Sequence, residues 1–89
     1  MKMNVYCIQD VKTGFMTPTI DLNDQAAARN FASAVMQSQG VLFTHHEDFR
    51  LYRIGTFDQE TGLLDPIVPI QLISDGASVL RGGDRHVPD

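Results

Sequence analysis

Three stretches of the chain have the alternation of apolar and polar residues, or the aromatic and branched content, that predicts β-strands. Met3–Gln9 is the first, and Phe15–Ile20 returns after a turn. Pro18 has no backbone N–H, so we expect the returning strand to lie at a sheet edge or to break there. Phe49–Phe57 is the third and the richest in aromatic and branched residues, and turn-forming residues 58–62 close it. This mid-chain strand with its tight turn predicts a hairpin around which the other segments assemble.

Two prolines interrupt the segment that follows this turn. Pro66 and Pro69 cannot donate to a strand ladder, so the segment cannot form one regular inner strand. We therefore predict a strand near Leu63–Asp65 and a second extended piece near Ile70–Ile73.

The most regular helical pattern covers Asn23–Gln39. Apolar residues recur there at helical spacing and form one stripe, which consists of Ala27, Ala28, Phe31, Ala34 and Val35. The Asp21–Asp24 segment supplies candidate N-caps, and Asp24 is favourable at the positive end of the helix dipole. Because most of the stripe is alanine, we expect the helix to approach its sheet closely, with Phe31 as its main anchor.

Two glycines predict where elements end. Asp10–Gly14 has the composition of a turn in which the glycine takes a positive φ. Gly40 follows the helical stripe at the position where a left-handed residue commonly terminates a helix.

These elements predict an α+β fold: a small antiparallel sheet in the order β-β-α-β-β plus an extended segment, with one helix packed on one face. Residues 1–75 are expected to form a single domain. Residues 76–89 contain three glycines, one proline and scattered charges, with Val79-Leu80 as the only apolar pair. This composition predicts a flexible C-terminal tail.

Both faces of the predicted sheet carry large apolar side chains. On the third strand, Phe49, Leu51 and Phe57 alternate with Tyr52 and Ile54. One alanine-rich helix covers only one face, so the other must be shielded by loops, by the tail or by another subunit. We expect a homo-oligomer, with a dimer favoured, because self-pairing stabilises a small domain.

The composition argues against several classes of protein. A net charge of -4 and a pI of about 5.1 argue against nucleic-acid binding by bulk attraction, which needs many Lys and Arg residues. Cys7 is the only cysteine, so an intrachain disulfide and a zinc site built from thiolates are both excluded, and a reducing compartment fits. No apolar run approaches about 18 residues, so we expect neither a membrane span nor a signal peptide.

One cluster, His45-His46-Glu47-Asp48, resembles a metal or acid/base site. Adjacent histidines point in divergent directions on an extended chain, so a solvated turn is the favoured interpretation and metal binding the alternative. The serines have no nucleophile-elbow context, and no glycine-rich phosphate loop is present. We therefore expect no enzymatic activity and no cofactor.

Any nucleic-acid contact would have to be made by a small set of basic and aromatic residues. The candidate residues are Arg50, Tyr52, Arg53, Arg29 and Lys12. Arg50 and Tyr52 share one side of their strand, and an aromatic ring beside a guanidinium is what base stacking on a sheet uses. The alternative is that Arg50 pairs with a nearby carboxylate while Tyr52 fills an oligomer interface.

Several of these segments together resemble a known family. They are Asp10–Gly14 with Phe15 and Pro18, then Ala28-Arg29 with Phe31, then His45–Gly62. The most specific part contains Glu47-Asp48-Phe49, Leu51-Tyr52, Ile54-Gly55 and Phe57-Asp58, ahead of Thr61-Gly62. Over about residues 5–70 the sequence resembles the small non-structural protein of gokushovirus-type microviruses, which are tailless icosahedral bacteriophages with circular single-stranded DNA.

The resemblance implies a role in viral genome replication, in the switch to single-stranded DNA synthesis or packaging, inside the host bacterial cytoplasm. It implies contact with single-stranded DNA or with viral or host replication proteins, and it transfers no catalytic residue. The acidic composition favours weak DNA binding or docking on the replication complex. A protein-interaction module without DNA contact, either scaffold-like or a host-takeover factor, is the alternative.

Overall fold

A five-stranded antiparallel sheet is the framework of the fold, which a computed structural model describes for residues 1–80. The strands are β1 (Lys2–Asp10), β2 (Gly14–Phe15), β3 (Thr19–Asp21), β4 (Phe49–Asp58) and β5 (Leu64–Asp75). Their order is β2-β1-β4-β5, and β3 also pairs with β1. One helix packs against this sheet, so the predicted α+β class is confirmed.

Pro18 divides the returning strand, as the sequence predicts. β2 and β3 both pair with β1, and residues 16–18 between them belong to neither. Gly14 has a φ of 130°, which confirms the positive φ expected at the end of the turn. The first hairpin therefore has one long strand and two short ones.

The main helix, α1 (Asp24–Gln37), is close to its predicted bounds. Asn23 is its N-cap, and its side-chain oxygen accepts a hydrogen bond of 2.8 Å from the N–H of Ala26. Ala27, Phe31 and Val35 are its buried residues, which confirms the core of the predicted stripe.

The end of α1 differs from the prediction. Gly40 has a φ of -117°, so it is not a left-handed terminator; it is instead the N-cap of a short helix, α2 (Val41–Thr44). Leu42 packs against the core, whereas Val41 and Phe43 are exposed, so only part of this segment covers the core. A 3₁₀ turn at His46–Asp48 then leads into β4.

The core lies between α1 and one face of the sheet. Its buried members are Tyr6, Ala27, Phe31, Val35, Phe49, Leu51 and Val79. Tyr6 and Ile8 of β1 face this core, and Val5 and Cys7 face the other way, as the alternation predicts.

The strand β4 contains a bulge that the sequence does not reveal. Tyr6 lies opposite Arg53 and Val5 lies opposite Gly55, so Ile54 has no partner on β1. The extra residue reverses the alternation beyond it. Phe57 therefore lies on the same face as Ile54, and its predicted position beside Phe49 is wrong.

The strand β5 differs from the two pieces that the prolines predict. It runs without interruption from Leu64 to Asp75 at the edge of the sheet, where the missing N–H groups of prolines are tolerated. Its pairing with β4 is nevertheless split, because residues 67–70 have no partner in the register. The prolines thus disturb the ladder without ending the strand.

Residues 76–80 are helical and continue directly from β5. Gly76 and Val79 are buried, and Val79 belongs to the core. The predicted tail therefore does not begin at residue 76, because the side chain of Val79 is buried in the core. The rest of the predicted tail, residues 81–89, lies outside the described residues.

Candidate functional site

The face of the sheet turned away from α1 is the candidate site, and we call it the uncovered face. Tyr52 lies opposite both Cys7 and Leu72 on this face, and Val5 lies opposite Ile20. Residues 16–18 shield part of it, since Cys7 is buried and its thiol contacts this loop. Its large exposed side chains are Phe15, Ile20, Leu64 and Leu72, which are 50%, 45%, 66% and 55% exposed.

One part of this face, the aromatic end, consists of Phe15, Tyr52 and Arg50. The rings of Phe15 and Tyr52 have centroids 5.8 Å apart and planes inclined by 56°. Arg50 is exposed and shares the side of Tyr52, two residues before it. Lys12 lies in the exposed turn at the same end of β1. The aromatic end therefore offers ring surfaces and cations together.

The other part is the apolar groove, with a volume of about 460 Å³. It is lined mainly by Val5, Pro18, Ile20, Ile54, Phe57, Leu64 and Pro66. Gly55 also lines it and allows β5 to approach β4, since a Cβ there would lie 2.4 Å from the carbonyl oxygen of Asp65. Such a groove can accept apolar side chains and offers little to a phosphate.

Two predicted site residues lie away from the aromatic end. Arg53 points to the side of α1, with Nη1 3.5 Å from Oδ1 of Asp24, and it also bonds the side chain of Gln71. Arg29 is exposed on α1, which packs on the opposite side of the sheet. Of the five, Arg50 and Tyr52 share one side of β4, and Lys12 lies in the exposed turn that follows β1.

A partly buried polar network on the helix side was not predicted. The Tyr6 hydroxyl donates to Oδ1 of Asp24 at 2.6 Å and accepts from Nδ2 of Asn4 at 3.1 Å. Burial, together with the bond to Asp24, raises the pKa of Tyr6 to about 12. This network joins β1, β4 and the first turn of α1, so its arrangement is structural.

The thiol of Cys7 is buried beneath the uncovered face. Its Sγ donates to the carbonyl oxygen of Met16 at 2.9 Å. Burial raises the pKa of this thiol, so the nucleophilic thiolate is disfavoured. This environment is that of a small packed side chain.

The histidine cluster is held by local bonds. His45 Nδ1 lies 2.9 Å from the Thr44 hydroxyl, and His46 Nδ1 lies 2.9 Å from the carbonyl oxygen of Phe43. Within residues 1–80, no group of three or more His, Cys, Asp or Glu side chains is arranged to hold a metal ion.

Among the described residues, no helix combines the length and the apolar character needed to cross a bilayer.

In comparisons with known proteins, a family model described as Phage ORF5 protein matches residues 3–79. No curated protein and no solved structure matches the chain.

Proposed function

Because the chain belongs to the Phage ORF5 protein family, and is therefore a bacteriophage protein, we propose that it acts in viral genome replication. In this proposal it is a non-enzymatic, non-structural protein of a gokushovirus-type microvirus, and it works in the host bacterial cytoplasm. It supports the switch to single-stranded DNA synthesis or packaging. It does so by weak contact with single-stranded DNA while docking on viral or host replication proteins.

The observation that supports DNA contact is the aromatic end of the uncovered face. Phe15 and Tyr52 offer ring surface, and the exposed Arg50 lies beside them. Bases of single strands are free to stack on such rings, whereas those of a duplex are already stacked on one another. Each base stacked on an aromatic side chain contributes about 1–3 kcal/mol, so two rings suffice for weak binding.

The charges of this face determine how binding depends on salt. Arg50 shares the side of Tyr52 and Lys12 lies in the exposed turn after β1, whereas Arg53 bonds Asp24 and Gln71 on the other side. Two phosphate contacts on a single strand correspond to a slope of about -1.4 in log affinity against log salt. Affinity should therefore fall only about sevenfold between about 50 and 200 mM salt. This shallow dependence agrees with a protein of net charge -4.

The test is fluorescence anisotropy of a labelled oligothymidine at several salt concentrations. Tyr52→Leu keeps an apolar side chain but removes the ring, and we expect it to weaken binding about 5- to 150-fold, whereas Tyr52→Phe retains binding. Arg50→Ala should weaken binding and make the salt slope shallower by roughly 0.7. Arg29→Ala is the matched control, because it removes an exposed arginine from the opposite side. Binding that survives both Tyr52→Leu and Arg50→Ala unchanged contradicts the proposed site.

The second candidate function is a protein-interaction module without DNA contact. The apolar groove favours it, because it offers apolar side chains rather than cations. If no oligonucleotide binds at millimolar protein concentration, this candidate replaces the first.

A further inference from the structure

We propose that the side-chain amide of Gln9 hydrogen-bonds the edge of the base that stacks on the aromatic end, and that it favours adenine. The inference rests on the proposed function and deepens it, because it adds a residue that determines base preference to the DNA contact. The position of Gln9 beside the rings becomes visible only from the pairing of the strands.

Gln9 lies between the ring and the cation of the aromatic end. In the register of the sheet it is directly opposite Phe15 on β2 and directly opposite Arg50 on β4. Residues that are directly opposite in an antiparallel pair project from the same side of the sheet, with Cβ atoms about 4.5–5.5 Å apart. Gln9 also alternates with Ile8, which packs against the core, so its side chain lies on the uncovered face. One row across three strands therefore contains a ring, an amide and a guanidinium.

The two rings converge above β1, the strand that contains Gln9. Phe15 and Tyr52 belong to β2 and β4, which flank β1. Neighbouring strands are about 4.8 Å apart, so the backbones of β2 and β4 are separated by about 10 Å across the sheet. The ring centroids are only 5.8 Å apart, so the rings lean towards each other. A base that stacks on either ring therefore has an edge close to a side chain of the middle strand.

The amide of Gln9 is available to such a base. Gln9 is half-buried, and within residues 1–80 its side chain makes no hydrogen bond to another group of the chain. In the described chain, Nε of Arg53 is the one buried side-chain nitrogen or oxygen that has no partner, so the amide of Gln9 is not sealed from solvent. A base would therefore replace water at this amide without breaking a hydrogen bond inside the protein.

Within the described sheet, Gln9 is the one member of its row that can both donate and accept hydrogen bonds. The guanidinium of Arg50 only donates, and Asp75, which is opposite Arg50 on β5, only accepts when ionised. Oδ1 of Asp75 already accepts the N–H of Ser78. A primary amide presents a donor and an acceptor side by side, which matches the neighbouring donor and acceptor on the edge of an unpaired base.

Adenine is the base whose edges suit this amide best. Its amino group has a ring nitrogen on either side, so two of its edges offer a donor beside an acceptor, and glutamine is a typical bidentate partner of adenine. Cytosine offers an amino group beside a ring nitrogen on one edge alone, and thymine has no amino group. The double ring of adenine also presents more surface for stacking than a pyrimidine does.

The experiment is fluorescence anisotropy of three labelled oligothymidines of equal length, whose central nucleotide contains thymine, adenine or unsubstituted purine. Unsubstituted purine has the double ring of adenine without the amino group, so the comparison separates hydrogen bonding at the edge from stacking. A bidentate contact discriminates between bases by about 5- to 150-fold. Because this site is open to solvent, we expect the low end, about fivefold in favour of adenine over purine.

Gln9→Met keeps the length of the side chain and removes its amide, so adenine and purine should then bind equally. Gln25→Met is the matched control, because Gln25 is exposed on α1, on the opposite side of the sheet, and the preference should survive it. A measurement on the unmodified chain covers the case in which Gln9→Met fails to fold by circular dichroism. The side-chain amide proton resonances of Gln9 should shift with the adenine oligonucleotide and stay in place with the purine one.

The outcomes separate this inference from the proposed function. If the unmodified chain binds adenine and purine equally, and Tyr52→Leu weakens both, the DNA contact stands and the role of Gln9 is overturned. A preference for adenine that Gln9→Met retains also overturns that role. If none of the three oligonucleotides binds, the DNA contact and the role of Gln9 are overturned together.

Discussion

Replacing Gly76 with alanine tests whether residues 76–80 are part of the domain. A Cβ at this position would lie 1.8 Å from the carbonyl oxygen of His46 and 2.6 Å from its carbonyl carbon. Both are backbone atoms of the 3₁₀ turn before β4, so they cannot rotate away as a flexible side chain would. The substitution must therefore separate the helical residues 76–80 from this turn.

The cost follows from what the separation exposes. Val79 is 8% exposed and belongs to the core, and Leu80 packs against it. Complete burial of a valine contributes about 1.5–3 kcal/mol, so undocking should lower the free energy of unfolding by about 2–3 kcal/mol. For a domain of this size that corresponds to a melting temperature lower by about 10–20 °C.

Urea unfolding followed by circular dichroism measures this change. Gly40→Ala is the control, because the nearest atom to its new Cβ is the Ser38 hydroxyl at 3.9 Å, and we expect a change within about 0.5 kcal/mol. Val79→Ala adds a second test. If Gly76→Ala already releases the segment, Val79→Ala should have little further effect in the double variant. A Gly76→Ala protein as stable as the Gly40→Ala protein would refute the packing of this segment.

Two other changes test the sheet and the polar network. Gly55→Ala should lower the free energy of unfolding by about 1–3 kcal/mol, measured by the same urea unfolding. Its Cβ would lie 2.4 Å from the Asp65 carbonyl oxygen and would force β5 away from β4. An unchanged free energy of unfolding contradicts that close approach. The Tyr6 pKa of about 12 lies above the ordinary value of about 10, so the folded state keeps the proton longer. The contribution of protonated Tyr6 to the free energy of unfolding should be fully present below about pH 10. It should fall by about 2 kcal/mol as the pH rises to about 12, and Tyr6→Phe should remove this fall. An unfolding free energy that declines equally in both proteins rules out Tyr6 as its source.

Local signals explain why the helix could be predicted from the sequence. The Asn23 cap and the spacing of Phe31 and Val35 involve residues within one or two turns of each other. The same holds for Gly14, whose turn requires a positive φ. These features need no information about the rest of the chain.

Register could not be predicted in the same way. The bulge at Ile54 depends on how β4 pairs with β1, which is distant in the sequence. Arg53 was placed with the candidate cations, but its partners Asp24 and Gln71 are separated from it by 29 and 18 positions. Similarly, Val79 looked like part of a polar tail because its contacts with the core are long-range.

The candidate site was only half visible in the sequence. Alternation alone places Arg50 and Tyr52 on one side of a strand, and the structure has them there. The second ring, Phe15, comes from another strand, and its contact with Tyr52 depends on sheet pairing. The groove depends on the bulge, which moves Phe57 to the uncovered face.

The bulge at Ile54 also determines which genetic changes β4 can absorb. Every residue after it depends on this one extra position for the side of the sheet on which it lies. Deleting a single codon between Arg53 and Phe57 would turn Phe57 towards the core. The groove would then lose part of its lining. Substitutions along β4 should therefore be tolerated far more readily than insertions or deletions of single residues.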